Sequence, residues 1–452
     1  MELFDQATKL HAEGNFEEAE KLYDQILSQN PANAGLLATV GTLYLAWGKP
    51  GLAISLLEHS LEKAKGKRAS DVLSNLGLAY KQCGLRDKSA QCLKEACADV
   101  LEPSAEAMTN YGALFIESEQ RAIGKKYLEQ AISVKPELAL AHWNYALILL
   151  AEGKWETAWD EHERGFHCKS RIDRQYGDIP EWDGTPDKTV VIYGEQGIGD
   201  EIMFASMLPD VLKTNDVILD CHKRLKTLFE NSFGIPCYGT REQEEVEWLG
   251  KHKIDAKCSI GSLGKFYRRT KEAFPGTPYL LAPSIPKGNK FRVGISWTGG
   301  KKMGRVVKRT VPLSWWKTIL NNDCEFISLQ YTDCEDEIRI VNEMGYNIKE
   351  FDAVKADDYS ETAKLVKSCD LVISVCTSAV HLAGALGVPC WVMTPHAPAW
   401  RYGIKGPMPW YRSVRLYRQP SNDSDAWIPV VQKVGLDLDD LVSSQTRILR
   451  IA

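Results

Sequence analysis

The chain lacks the features that would export it, anchor it in a membrane or cross-link it with disulfides. No stretch approaches the roughly 18 consecutive apolar residues of a membrane-spanning helix, and Met1 is followed by acidic and helical residues rather than by a basic segment and an apolar core. The 12 cysteines include no CxxC pair, which argues against a zinc site or a disulfide framework. We therefore expect a cytoplasmic protein with reduced thiols and no membrane span.

A large excess of charge of one sign is also missing. The net charge is −5, so the field of the whole chain gives no reason to expect nucleic-acid binding. Hydrophobic residues make up 44% and charged residues 25%, which is typical of globular domains and not of disorder. At 452 residues the chain exceeds what one hydrophobic core supports, so two or three domains are expected.

An internal repeat occupies residues 1–168. A small residue followed three positions later by a large one recurs every 34 to 36 residues. The five pairs are Ala7/Leu10, Gly41/Tyr44, Gly77/Tyr80, Gly112/Phe115 and Ala146/Leu149. Four of the five units also carry a turn glycine: Gly14, Gly48, Gly84 and Gly153. This spacing predicts two antiparallel helices per unit, in which the small residues let the helices approach each other.

The pattern resembles the tetratricopeptide repeat family, and five units exceed the roughly three needed for a stable stack. The resemblance implies an α-solenoid and does not identify a ligand. The functional interpretation of such an array is a concave surface that holds a protein or peptide partner. An array that only packs against the next domain or mediates self-association is the alternative. The polar, aromatic stretch at 159–184 is interpreted as the hinge between the two halves, with the domain boundary near 170–187.

From Thr189 onward, short β-rich runs alternate with helical stretches. The runs are TVVIY, DVILD, FRVGISW, EFISLQY, LVISV and CWVMT. Such alternation predicts parallel sheets covered by helices, and the Pro/Gly-rich stretch at about 270–290 is typical of a linker. We therefore expect an α + α/β chain with two Rossmann-like lobes, over 187–285 and 290–452, whose ligand lies at the strand-to-helix turns.

The first such turn, GEQGIGDE at 194–201, has an acidic character. Its glycine order is GxxGxG rather than the GxGxxG of dinucleotide-binding folds, and Asp200 and Glu201 would repel a pyrophosphate at the helix N-terminus. Asp200 is better suited to accept a proton from a substrate hydroxyl, although acids at this position are equally often helix caps. Asp220, at the end of the next strand, keeps a nicotinamide-dependent oxidoreductase open as a rival.

The second turn follows LVISV and suits a phosphate. Thr377 and Ser378 open its helix with hydroxyls and backbone N–H groups, and no acid occupies the first turn. His381 falls one turn later. Ordinary helix capping and a packed core histidine are the alternatives for these residues.

Between the two turns lies a basic loop, TGGKKMGRVVKRT, whose cations are Lys301, Lys302, Arg305, Lys308 and Arg309. Because it follows a strand, it would project into the same cleft, where cations stabilise a departing nucleoside diphosphate. A solvated charged loop is the alternative.

Together the three turns resemble the ADP-heptose heptosyltransferase family (glycosyltransferase family 9), and more closely proteins that join tetratricopeptide repeats to such a domain. The matching segments are GEQGIGDEIMFASMLP, VGISWTGGKK, RTVPLSWW, FISLQY and LVISVCTSAVHLAGALGVPCWVMTPHAPAWRY. The resemblance implies a GT-B glycosyltransferase fold and a metal-independent, usually inverting transfer of a hexosyl or heptosyl group from a nucleotide-diphosphate sugar, which is a co-substrate and not a cofactor.

The resemblance also assigns roles to residues. The acid matching Asp200 is the family's proposed catalytic base. The donor-binding positions are Gly197, Gly199, Trp297, Lys301, Lys302, Arg305, Arg309, Gln330, Cys376, Thr377, Ser378 and His381.

One position departs from the family, which usually has aspartate where this chain has Cys376. A thiol is normally neutral and a weak hydrogen-bond partner. The leading expectation is a glycosyltransferase whose repeats recruit a protein or peptide acceptor. The alternative is a catalytically inactive scaffold of the same fold that acts through protein binding by the repeats.

Overall fold

The computed structural model describes residues 2–98, 104–244, 246–299 and 309–451, with side chains up to 444. The chain forms two compact units, Met1–Ile148 and Leu149–Ala452. Among the described helices, none has the length and apolar character needed to cross a membrane.

Pairs of helices that pack on each other build the first unit. The pairs are α1 (Glu2–Glu13) with α2 (Phe16–Gln29), α3 (Ala34–Ala46) with α4 (Pro50–Leu61), α5 (Lys67–Gln82) with α6 (Arg86–Ala96), and α7 (Ala105–Ala113) with α8 (Arg121–Val134). A fifth pair follows, α9 (Ala139–Glu152) and α10 (Trp155–His162). The division between the two units falls inside α9.

The small residues of the repeat lie where paired helices touch. A Cβ placed on Gly77 would lie 2.5 Å from Leu93 Cγ, and one on Gly41 would lie 2.7 Å from Leu57 Cγ. The turn glycines have φ values between +75° and +83°, at Gly14, Gly48, Gly84 and Gly153. The predicted helix-pair repeat is therefore confirmed.

The first sheet of the second unit is parallel, with strand order β3-β2-β1-β4. Its strands are β1 (Thr189–Tyr193), β2 (Asp216–Asp220), β3 (Cys237–Tyr238) and β4 (Ala256–Ser259). Its helices are α11 (Ile198–Ala205), α12 (Leu208–Val211), α13 (Lys226–Phe233) and α14 (Gly264–Tyr267).

The second sheet is also parallel, with strand order β10-β9-β8-β5-β6-β7. Its strands are β5 (Arg292–Ser296), β6 (Glu325–Ser328), β7 (Ile348–Lys349), β8 (Leu371–Val375), β9 (Cys390–Thr394) and β10 (Val414–Arg418). Its helices are α15 (Lys317–Leu320), α16 (Glu335–Glu343), α17 (Tyr359–Lys367), α18 (Ser378–Leu386) and α19 (Trp427–Ile451). Residues 274–291, between the two sheets, contain no helix or strand. The predicted parallel α/β region is confirmed.

Helix α10 and the segment after it pack within the α/β unit. The Trp159 indole N–H donates to the carbonyl of Arg268 at 2.8 Å, and a Cβ on Gly264 would meet the Trp159 ring at 2.6 Å. Because the second half of the fifth repeat is built into the α/β core in this way, the contacts divide the chain at Ile148/Leu149, earlier than the end at 168 expected from the repeat.

Candidate functional site

A cavity of about 440 Å³ lies within the second unit. Its wall is formed by segments that follow β1, β2 and β3 of the first sheet and β5 to β9 of the second. Ligands of parallel α/β sheets bind at these carboxyl ends, and small-molecule pockets span about 300–1,000 Å³. The position and size of this cavity make it the candidate site.

Two helix N-termini meet at the cavity. Gly197 is the N-cap of α11, and Thr377 is the N-cap of α18. A Cβ on Gly199 would lie 3.3 Å from both Ser378 Cα and His381 Cδ2, so the close approach of the two helices depends on glycine here. Both helices therefore turn their free backbone N–H groups and positive dipole ends toward one region.

Many of the sequence-predicted site residues share this wall. Those that line the cavity are Gly197, Gly199, Asp200, Arg309, Cys376, Thr377, Ser378 and His381. Lys301, Lys302 and Arg305 lie outside the described residues. The two described ends of their loop lie close together, because a Cβ on Gly299 would be 3.7 Å from Arg309 Cβ. They lie beside the segment that leads into α18, because the same Cβ would be 3.0 Å from the Cys376 carbonyl.

Trp297 and Gln330, expected to contact the donor, instead lie behind the wall. The Trp297 indole N–H donates to Glu337 Oε2 at 2.8 Å. Gln330 Oε1 accepts the Ser296 hydroxyl at 3.0 Å and the backbone N–H of Thr298 at 3.2 Å. These bonds tie the ends of β5 and β6 together and occupy the polar atoms that a ligand would use.

Three cavity arginines were missed by the sequence analysis: Arg224, Arg241 and Arg401. Arg224 and Arg401 lie in three-residue 3-10 helices and Arg241 lies in a turn, and elements this short show no amphipathic periodicity. With Arg309 they line the cavity with four guanidinium groups, whereas Asp200 is the one carboxylate among its described lining residues. This balance favours an anionic ligand.

Asp200 lies at the start of α11, but no side chain caps that helix. Its carboxylate accepts a hydrogen bond from the Arg401 guanidinium, and 19% of the side chain is exposed. The geometry therefore favours a carboxylate presented to the cavity over a simple helix cap.

The neighbouring Glu201 points the other way and is fully buried. Its Oε1 lies 2.5 Å from Arg241 Nη1, and its Oε2 accepts the backbone N–H of His222 at 3.0 Å. Burial raises the pKa of Glu201 to about 8 against the opposing effect of Arg241. Arg241 also donates to the carbonyl of Gln196 at 2.9 Å, a non-glycine residue at φ +62°. This pair thus holds the turn that presents Asp200.

Asp220 does not have the free carboxylate that a ribose-binding acid needs. Its Oδ2 accepts the Tyr176 hydroxyl at 2.6 Å and lies 2.9 Å from Arg174 Nε. Its Oδ1 accepts the backbone N–H and the hydroxyl of Thr240 at 3.0 and 2.8 Å. Because both oxygens are occupied by groups of this chain, the structure does not favour the oxidoreductase alternative.

His381 is buried on the cavity wall with 4% exposure. Burial, aided by the nearby Arg401 cation, lowers the pKa of His381 to about 3. The Tyr402 hydroxyl hydrogen-bonds the Cys376 thiol on the same wall. Among the described residues, no group of three or more His, Cys, Asp or Glu side chains is arranged to hold a metal ion.

A family model described as the tetratricopeptide repeat matches residues 10–76, within the helix pairs whose close-packed glycines are described above. The N-terminal helices are tetratricopeptide repeats.

Nearly the whole chain, repeats included, is similar to Protein FlbA of Caulobacter vibrioides. The identity is 25% over an alignment of 504 residues, which covers 95% of this chain and 83% of FlbA. Among solved structures, it is similar to MamA, with 21% identity, 36% of this chain and 94% of MamA covered, and a TM-score of 0.30. It is also similar to YrrB, which is described as a TPR protein with an unusual peptide-binding site. The identity is 17%, the match covers 37% of this chain and 90% of YrrB, and the TM-score is 0.28.

Proposed function

We propose that this chain is a glycosyltransferase of the GT-B type that moves a hexosyl or heptosyl group from a nucleotide-diphosphate sugar to an acceptor hydroxyl. One observation carries the proposal: Asp200, the single carboxylate among the described lining residues, faces a cavity with four arginines and two converging helix N-termini. That set supplies what glycosyl transfer needs, a proton acceptor beside a site for a diphosphate.

The donor diphosphate would bind at the start of α18. The backbone N–H groups after Thr377 and the Ser378 hydroxyl provide hydrogen bonds to phosphate oxygens. Arg309 and the other cavity guanidinium groups stabilise the negative charge that develops on the leaving nucleoside diphosphate. These fixed cations take the part of a metal ion, so the proposed transfer is metal-independent.

Asp200 would act as the general base in a single displacement. Its carboxylate takes the proton of the acceptor hydroxyl while the acceptor oxygen forms a bond to the anomeric carbon. The bond between that carbon and the diphosphate oxygen breaks, and its electron pair leaves with the nucleoside diphosphate. One displacement inverts the configuration of the sugar.

The tetratricopeptide repeats would recruit the acceptor. Such arrays expose extended surfaces that bind other proteins, so the proposed acceptor is a protein or peptide hydroxyl. A test supplies the enzyme with a labelled donor and either polypeptides or free sugars as acceptors. Transfer to polypeptide supports this part of the proposal, and transfer to free sugar alone contradicts it.

The catalytically inactive scaffold remains the second candidate, and one observation favours it. Cys376 lines the cavity at the start of the donor-binding turn, where the resembling family usually has a carboxylate. A scaffold would release no nucleoside diphosphate from any donor.

A panel of nucleotide-diphosphate sugars, with and without a metal chelator, tests the proposal. Calorimetry measures binding, and released nucleoside diphosphate measures turnover. Arg309→Gln should weaken the binding of an active donor by about tenfold or more, because a hydrogen bond to a charged group contributes about 1.5–3 kcal/mol. Arg415→Gln is the matched control, because Arg415 lies on β10, pairs with Asp437 and is not part of the cavity wall. Absence of binding and turnover across the panel would contradict the proposal.

A further inference from the structure

A chain of hydrogen-bonding side chains runs from α11 to the cavity wall. The Tyr279 hydroxyl lies 2.5 Å from the carbonyl oxygen of Ile202. The Tyr411 hydroxyl lies 3.3 Å from that of Tyr279, and His381 Nδ1 lies 3.2 Å from the Tyr411 hydroxyl. The two tyrosine hydroxyls and the imidazole can each donate or accept a hydrogen bond, whereas the Ile202 carbonyl at the end of the series can only accept one.

The carbonyl at the end sets the direction of every bond in this chain. Tyr279 donates its one proton to Ile202, because a carbonyl has no proton to give. The Tyr279 oxygen is then available only as an acceptor, so Tyr411 donates to it. Tyr411 in turn accepts from the imidazole, and His381 Nδ1 must therefore carry a proton.

The second imidazole nitrogen is consequently an acceptor. His381 is neutral near pH 7, because its pKa is lowered to about 3, and a neutral imidazole with a proton on Nδ1 has a lone pair on Nε2. The adjacent ring carbon, Cδ2, lies 3.3 Å from the position of a Cβ on Gly199, beside the turn that carries Asp200. In the described part of the chain, His381 has a hydrogen bond at Nδ1 and none at Nε2.

We propose that His381 presents Nε2 to the cavity as a fixed hydrogen-bond acceptor for a substrate hydroxyl. This substrate class rests on the proposed glycosyltransferase function, whereas the orientation of the imidazole proton does not. A lone pair repels phosphate oxygens, so His381 selects a hydroxyl of the sugar or acceptor and does not hold the diphosphate. Tyr279 and Tyr411 are positioning residues, because they act on the substrate only through His381.

Nitrogen-15 NMR of the intact chain, labelled at histidine, tests the proton position directly. The His381 signals, assigned by their loss in His381→Gln, should show the Nδ1–H tautomer. Tyr279→Phe removes the acceptor for Tyr411, which then donates to Nδ1 and moves the imidazole proton to Nε2. Tyr417→Phe is the control, because Tyr417 donates to Asp437 at 2.7 Å and takes no part in the hydrogen bonds that connect Ile202 to His381. A wild-type Nε2–H tautomer, or no change in Tyr279→Phe, would overturn the assignment.

Fluorinated substrates test the selected hydroxyl. Fluorine accepts hydrogen bonds weakly and donates none, so a donor sugar or acceptor fluorinated at the recognised position should bind the wild type about tenfold more weakly than the parent, the effect of one lost hydrogen bond. In Tyr279→Phe, His381 carries its proton on Nε2 and donates from it, so this variant should no longer bind the parent compound more tightly than the fluorinated analogue. Tyr417→Phe should keep the wild-type preference for the parent compound.

Equal binding of every fluorinated analogue by the wild type, or weaker binding of a nucleoside diphosphate alone by His381→Gln, would overturn the hydroxyl role. If the wild type shows the expected Nδ1–H tautomer but binds no nucleotide sugar, the assignment of Nε2 as an acceptor is supported. The proposed glycosyltransferase function is then contradicted.

Discussion

Arg401 donates a hydrogen bond to the carboxylate of Asp200. Asp200 opens the helix that follows β1, and Arg401 comes after β9, so the contact links segments that belong to the two different sheets. A guanidinium stays protonated at any working pH, so the carboxylate has a permanent cation beside it. The proposed base and the proposed anion site therefore share one arginine.

Arg401→Gln should lower the rate of nucleoside diphosphate release by about 100-fold, the usual effect of losing one preorganised donor at a developing charge. Steady-state kinetics with the active donor measure this. The Arg415→Gln control should keep the wild-type kcat. A kcat unchanged in Arg401→Gln would show that Arg401 has no part in the reaction.

Trp297→Phe should reduce stability and leave the donor affinity unchanged. The substitution removes the indole N–H that bonds Glu337 and leaves a smaller ring in a fully buried position, and the space left in the core costs about 0.5–3 kcal/mol. Urea unfolding and calorimetry measure the two effects separately. A variant that keeps the wild-type stability but binds the donor more weakly would show that Trp297 contacts the donor.

Glu201→Gln should change how stability depends on pH. The pKa of Glu201 is raised by burial from 4.5 to about 8, so between these values the folded chain retains a proton that the unfolded chain has released. Its contribution to the free energy of unfolding therefore decreases as pH rises through this window. Urea midpoints measured across the window should fall less in Glu201→Gln than in the wild type. The exposed Glu343→Gln control should follow the wild type, and parallel curves for all three proteins would contradict the raised pKa.

Gly77→Ala should destabilise the repeat unit by about 1–3 kcal/mol through overpacking, because the added methyl would lie 2.5 Å from Leu93 Cγ and 3.2 Å from the Ser89 carbonyl. Gly51→Ala is the matched control, since its methyl meets nothing within 4 Å and alanine favours helix by up to about 1 kcal/mol. The thermal unfolding midpoint should fall in Gly77→Ala and rise in Gly51→Ala. Equal shifts would mean that Gly77 is not a close-packing position.

The helix-pair repeat was predictable because its signals are local. The small residues at Gly41 and Gly77 and the turn glycines at Gly14 and Gly48 recur at a fixed spacing, and each is required by contacts or dihedral angles within one or two helices. The parallel sheets were predictable for a similar reason, since buried β-rich runs alternate with helical stretches.

The cavity was only partly predictable. Asp200 and Thr377 lie in strand-to-helix turns, which the sequence pattern locates. Arg224 lies in a three-residue 3-10 helix and Arg241 lies in a turn, and only the assembled sheets bring these two side chains to the same cavity. Trp297 was assigned to the site because it follows a strand of a matching segment, but a motif does not distinguish a side chain on the cavity wall from one packed behind it.

The most direct test of the central claim is turnover by Asp200→Asn, measured as release of nucleoside diphosphate from the active donor while calorimetry follows donor binding. The substitution keeps the shape of the side chain and removes its ability to take a proton, and Asp323→Asn, at a largely exposed aspartate that pairs with Lys290, serves as the control. We predict that Asp200→Asn binds the donor but releases about 100-fold less product or worse, and that Asp323→Asn matches the wild type. Wild-type turnover in Asp200→Asn would contradict the assignment of the base.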